Sequence, residues 1–317
     1  MTTFWTGKRV VCTGGSGFLG SHLCPLLEAA GAHVFVPRSA NYDLREKADV
    51  IRVFEASASV GRIDIVFHLA ATVGGIGANQ KYPADFVYNN ALINTHVVEY
   101  AHRFEVGKLI AVGSVCAYPK FCPVPFLEEN LWQGYPEETN APYGLTKRLL
   151  LVHLQSLRRQ YGFNGIYLIP TNLYGERDHN HPNTSHVIPA LIRKIDRAQR
   201  DGVDYVEVWG TGNASRDFLY AGDCAQALML AAQHYDGPEP VNLGSGVETR
   251  IVGLTEVLRR VMGFEGRIAF DLSRPDGQPR RVLNSERARH AFGWKAETEL
   301  EEGLRKTVEW WRKQSIA

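Results

Sequence analysis

Near its start the chain runs from Arg9-Val-Val-Cys-Thr13 straight into Gly14-Gly15-Ser16-Gly17-Phe18-Leu19-Gly20. The first five residues read as a buried strand, and the apolar stretch that follows, up to Gly31, reads as a helix. Two glycine registers fit the turn between them, Gly15-x-Gly17-x-x-Gly20 and Gly14-x-x-Gly17-x-x-Gly20. Either allows a tight turn, backbone bare enough to approach a pyrophosphate, and a helix N-terminus whose free N–H groups attract anions. Strand, turn and helix in this order predict a dinucleotide-binding unit. Pro25 falls inside the helix and is expected to kink it.

The same grammar repeats down the first half. His33-Val-Phe-Val-Pro37, Asp64-Ile-Val-Phe-His68, Lys108-Leu-Ile-Ala-Val112 and Gly165-Ile-Tyr-Leu-Ile169 read as buried strands. Helical patterns at 83–103 and 141–161 alternate with them. Such alternation gives right-handed crossovers and a doubly wound, Rossmann-like α/β parallel sheet covered on both faces. Past Gly175 the rhythm breaks: 176–186 reads as polar loop and 187–198 as helix, short strands are expected at Val206-Glu-Val-Trp209 and Val241-Asn-Leu243, and the stretch beyond is expected to be mostly helical. Asp217 to His234 is expected to return to the sheet as a loop and helix. The expected division is a nucleotide-binding domain of 1–175 plus 217–245, and a smaller C-terminal α/β substrate lobe of 176–216 plus 246–317. The last element carries Leu300, Leu304, Val308 and Trp311 on one face, a stripe that reads as core.

Chemistry concentrates between Gly113 and Lys147. Ser114 and Cys116 follow a strand, at the edge where open α/β sheets keep their ligands. Tyr143 and Lys147 lie four apart and share a helix face. A lysine beside a phenol is expected to lower the tyrosine pKa, and with a serine hydroxyl the set suits proton transfer to a carbonyl during hydride transfer. Tyr-x-x-x-Lys by itself occurs on ordinary surface helices; its place after a dinucleotide turn gives it meaning. Arg38 ends the second strand, where an acidic residue usually holds the NAD ribose. An arginine there can pair with a 2′-phosphate, so NADP(H) is expected, with NAD(H) the alternative. His68 sits within an apolar run and reads as a core histidine.

Several classes are excluded. With 44% hydrophobic and 22% charged residues the chain reads as an ordinary soluble protein. A net charge of +1 offers no pull toward nucleic acid. No apolar run approaches the ~20 residues of a membrane helix. The five cysteines form neither a disulfide framework nor a zinc pattern, and a reducing cytoplasm is expected. His179, His181 and His186 cluster in a polar loop, but their spacing matches no zinc template, so no metal is expected.

Longer strings carry a resemblance. Gly14-x-x-Gly17-x-x-Gly20, Ser114 and Tyr143-x-x-x-Lys147 resemble the extended short-chain dehydrogenase/reductases. Val73-Gly-Gly-Ile-Gly-Ala-Asn79, Ser114-Val-Cys-Ala-Tyr-Pro-Lys120, Pro170-Thr-Asn-Leu-Tyr-Gly175, Ser185-His-Val-Ile-Pro-Ala-Leu191, Trp209-Gly-x-Gly212 and Pro275-Asp-Gly-x-Pro-Arg280 narrow this to a resemblance to the GDP-L-fucose synthases. The resemblance implies Cys116 as base and His186 as acid in epimerising a GDP-linked 4-keto-6-deoxy sugar at C3 and C5. It implies Ser114, Tyr143 and Lys147 for the later reduction at C4. Cofactor contacts are implied for Gly14, Gly17, Phe18, Leu19, Gly20, Leu69, Ala70, Ala71, Tyr143, Lys147, Pro170, Asn172, Leu173 and His186. Substrate contacts are implied for Val187, Lys194, Trp209, Arg216, Asp276 and Arg281, with Lys194 standing where arginine is usual. A homodimer through the 83–103 and 141–161 helices is implied as well. An epimerase that stops before reduction, and a non-catalytic dinucleotide-binding module, are the alternatives.

Overall fold

The computed structural model describes residues 3–178, 185–274 and 278–316. In chain order the elements are β1 (Arg9–Thr13), α1 (Phe18–Ala29), β2 (His33–Phe35), α2 (Lys47–Ala58), β3 (Ile65–His68), α3 (Ile76–Lys81), α4 (Pro83–Arg103) and β4 (Lys108–Val112). Next come α5 (Ala141–Tyr161), β5 (Gly165–Pro170), β6 (Asn172–Tyr174), α6 (Val187–Asp201), β7 (Tyr205–Trp209), β8 (Ser215–Tyr220), α7 (Ala221–His234) and β9 (Val241–Leu243). Then follow β10 (Glu248–Arg250), α8 (Ile251–Met262), β11 (Arg267–Asp271), β12 (Arg280–Arg281), α9 (Glu286–Phe292) and α10 (Leu300–Ile316).

Six strands in the order β2-β1-β3-β4-β5-β9 form one parallel sheet. Residues of β3, β4 and β5 are buried on both faces, which explains their unbroken apolar runs. One face packs Val53, Val98, Leu109 and Leu154 among α2, α4 and α5. The other packs Leu23, Cys12, Ile110 and Leu228 under α1 and α7. The sheet's strands end together at Thr13, His68, Val112 and Pro170, and the candidate site lies beyond that edge.

A second sheet, β10-β8-β12 with β6 alongside, and a third pair, β11-β7, lie outside the main sheet. Residues 217–220, expected as loop, are the end of strand β8, which pairs parallel with β6 and antiparallel with β10. Three short strands, β10, β11 and β12, interrupt a stretch expected to be mostly helical. Each is short: β10 and β12 carry no apolar run, and β11 carries only Ile268-Ala269-Phe270. Leu304, Val308 and Trp311 are buried against Ile192, Leu254 and Leu258, as core. Helix α1 is continuous through Pro25, whose ring is on the exposed face; the carbonyl it leaves unpaired there can be hydrated. Among the described residues no helix is long and apolar enough to cross a membrane.

Candidate active site

The dinucleotide turn begins at Gly14, where φ is +73°, a backbone state that side chains rarely adopt. A Cβ there would also lie 2.7 Å from the Ala70 backbone nitrogen, so only glycine lets the turn rest on the end of β3. Gly17 is the N-cap of α1 and offers no side chain to its free N–H groups, and Phe18, Leu19 and Gly20 form the first turn. Bare cradle and uncapped helix together fit a pyrophosphate. Leu69 is fixed by its N–H on the Thr13 carbonyl, at 3.0 Å, and Ala70 and Ala71 continue from it along the rim. Arg38 is exposed just past β2, where it could meet an adenosine ribose or its phosphate. Pro170 closes β5, Asn172 donates to the Asp217 carbonyl at 2.9 Å, and Leu173 follows in β6.

Beyond β4 the chain makes one short helical turn, Val115–Ala117, with Ser114 as its cap. The Ser114 hydroxyl accepts from the Cys116 N–H at 3.1 Å and lies close enough to Tyr143 to pull its pKa down. Helix α5 carries Tyr143 to this point because Gly144 has no side chain: a Cβ there would overlap the Cys116 carbonyl oxygen. Lys147, one turn on, is fully buried and donates to the Val112 carbonyl at 2.8 Å.

Electrostatics corrects one expectation. The Tyr143 phenol is pushed up, first by burial and then by Cys116, and only the Ser114 hydroxyl pulls it down. Lys147 does not lower it, because its ammonium group turns to the Val112 carbonyl, 5.6 Å from the Tyr143 ring centre. Burial instead lowers the lysine, to about 8.

Cys116 is half-buried and unpaired in any disulfide. Its thiol donates to Asn140 Oδ1 at 3.7 Å, and its sulfur accepts from Arg281 Nη1 at 3.7 Å. Asn140 in turn donates to Glu137 Oε2 at 2.6 Å. Burial raises the Glu137 carboxyl, but hydrogen bonds from Thr139 and Asn140 outweigh it and hold the group below its ordinary value. Asn140, Glu137 and Gln278 were not legible as site residues, since none belongs to a spaced motif.

His186 caps α6, with half its side chain exposed and Nδ1 3.6 Å from Asp178 Oδ1. That acidic partner raises its pKa. Val187 follows at the start of α6, partly buried. Lys194 donates to the Glu207 carbonyl at 2.8 Å and lies over the exposed Trp209 ring, 5.8 Å from its centre. Arg216 donates to the carbonyls of Ser215 and Gln278. Asp276, His179 and His181 lie outside the described residues. Among the described residues no cluster could hold a metal ion. His68 is fully buried between Thr13 Oγ1 at 2.8 Å and Asn94 Oδ1 at 3.0 Å. Burial and the Lys147 charge lower it to about 3, so it stays neutral and structural.

The sequence profile of the NAD dependent epimerase/dehydratase family matches residues 10–244. A GDP-L-fucose synthase from Sinorhizobium fredii (strain NBRC 101917 / NGR234) is 42% identical over 303 residues, covering 96% of this chain and 95% of that protein. The chain belongs to the GDP-L-fucose synthase family. Solved structures of related enzymes superpose over almost the whole length. A GDP-6-OMe-4-keto-L-xylo-heptose reductase from C. jejuni gives a TM-score of 0.90 at 27% identity, covering 99% of each chain. A GDP-L-fucose synthetase from Naegleria fowleri bound to NADP gives 0.88 at 26%, covering 98% of this chain and 96% of that one. As a member of the GDP-L-fucose synthase family the chain is an enzyme, a GDP-sugar epimerase/reductase built on a nicotinamide-dinucleotide fold.

Proposed function

We propose that this enzyme epimerises a GDP-4-keto-6-deoxy-hexose at C3 and C5 and then reduces C4 with NADPH. The observation that carries the reading is the compact group beyond β4: Ser114 beside Tyr143, with Cys116 on the same short turn and its N–H on the Ser114 hydroxyl. A 4-keto group acidifies its neighbouring C–H bonds. The Cys116 thiolate removes such a proton, and the electron pair moves onto O4 to give an enolate. His186, whose pKa Asp178 raises, returns a proton on the opposite face. Hydroxyl donors from Ser114 and Tyr143 hold O4 while its charge develops. In the reduction Tyr143 gives its proton to the same oxygen.

Bound NADPH supplies the hydride. Gly14, Gly17 and the first turn of α1 would hold its pyrophosphate, and Arg38 its 2′-phosphate, which is what favours NADP(H) over NAD(H). Lys194, Trp209, Arg216 and Asp276 are proposed to hold the GDP end, with Arg281 and Val187 nearer the sugar. The exposed apolar residues Tyr88 on α4 and Leu145, Leu149 and Val152 on α5 support a homodimer through these helices.

The test is incubation with the 4-keto sugar in heavy water, without cofactor and with NADPH or NADH. Deuterium at C3 and C5 with NADPH consumption is the expected result. Exchange without oxidation leaves an epimerase alone, and neither process rejects the proposal.

A further inference from the structure

Arg281 is 7% exposed and has its guanidinium turned inward. Two of its three nitrogens are committed to one neighbour: Nε and Nη2 donate to Gln278 Oε1 at 3.1 and 2.8 Å. The third, Nη1, lies 3.7 Å from Cys116 Sγ. Gln278 is itself buried and fixed at its other end, where Nε2 donates to the Lys120 carbonyl at 3.1 Å. With Nε2 so engaged, its oxygen faces Arg281. Across the sulfur, Asn140 presents Oδ1, because Glu137 can only accept and so claims the amide nitrogen.

The sulfur therefore sits between an acceptor, suited to the thiol, and a cationic donor, suited to the thiolate. We infer that Gln278 and Arg281 are positioning residues for the Cys116 base: Gln278 aims the guanidinium, and Arg281 steadies the thiolate from which proton abstraction starts. This rests on Cys116 as the base proposed above and differs from a role of Arg281 as a substrate ligand alone. Arginine suits the task because its fork lets two donors anchor the group while another points at the sulfur. The glutamine has a second effect, since its backbone carbonyl accepts from Arg216 Nη1 at 2.6 Å. One residue thus ties both arginines to the loop at Lys120.

The experiment is alkylation of the full-length enzyme by iodoacetamide at pH 7, with Cys116 modification followed by peptide mass spectrometry. Mass mapping separates it from Cys122, which is also half-buried. For Arg281→Met the Cys116 rate constant should fall about tenfold, because the thiolate is the reacting form and has lost its adjacent cation. Gln278→Met keeps the guanidinium but frees it, and should slow the reaction several-fold. Arg281→Lys should recover part of the rate, and carries the test if the methionine variant fails to fold. In steady-state exchange assays Arg281→Met should lower kcat more than it raises KM. Unchanged Cys116 alkylation in Arg281→Met and Gln278→Met, with only KM raised, would overturn the inference. The alkylation contrast needs no substrate, so it supports the pairing even if the wild type exchanges no deuterium, an outcome that rejects the function instead.

Discussion

Lys147 ends its side chain on the carbonyl oxygen of Val112, 2.8 Å away, and so pins α5 to the last residue of β4. The ammonium group is wholly buried, and desolvation lowers it to about 8 from an ordinary 10.5. The folded enzyme therefore releases this proton at lower pH than the unfolded chain does. Between about pH 8 and 10.5 the unfolded chain binds more protons, so this group makes stability rise with pH. Thermal melts of wild type and Lys147→Met from pH 7 to 10 should show the wild type gaining on the variant above pH 8. The opposite trend would contradict the assignment.

Asp178 raises the His186 pKa, so the imidazolium persists to higher pH than an isolated histidine would. Removing the carboxylate should reverse this. In Asp178→Asn the alkaline limb of the exchange rate should move to lower pH, with the rate at acid pH much less affected. A pH–rate profile of deuterium exchange measures it. An unmoved limb would mean that His186 is not the acid.

Gly144 touches no substrate in this account, yet it governs how closely α5 approaches the Cys116 turn. In Gly144→Ala the new methyl meets backbone, which cannot swing aside. The variant should lose roughly 1–3 kcal/mol of stability, measured by denaturant unfolding. Exchange and reduction should fall together, since Ser114, Cys116 and Tyr143 lose their common register.

The parallel sheet was legible because buried strands and long helices write strong apolar patterns, α4 begins at a proline, and α5 lies between a proline in its first turn and a glycine cap. The second sheet and the β7–β11 pair were not: β10, β11 and β12 are only two to five residues long, too short to write a pattern that separates them from loop. Of the site, Ser114, Tyr143 and Lys147 could be read from spacing, while Cys116 and His186 needed the family resemblance. Gln278, Asn140 and Glu137 could not be read at all. Their importance comes from how the fold seats them beside the sulfur, as when Gln278 is anchored on the Lys120 carbonyl 158 residues away. The tyrosine pKa was misjudged for a similar reason, since the rule of a neighbouring lysine ignores which carbonyl that lysine has already found.

The central claim is that one keto oxygen, held by Ser114 and Tyr143, serves a sulfur-driven exchange and a tyrosine-driven reduction. The most direct measurement is the ratio of deuterium exchange to NADPH oxidation in Cys116→Ser and Tyr143→Phe. Cys116→Ser should lose roughly 10²–10⁴-fold in exchange while still binding NADPH, and Tyr143→Phe should lose oxidation far more than exchange. Normal exchange in Cys116→Ser would contradict the account.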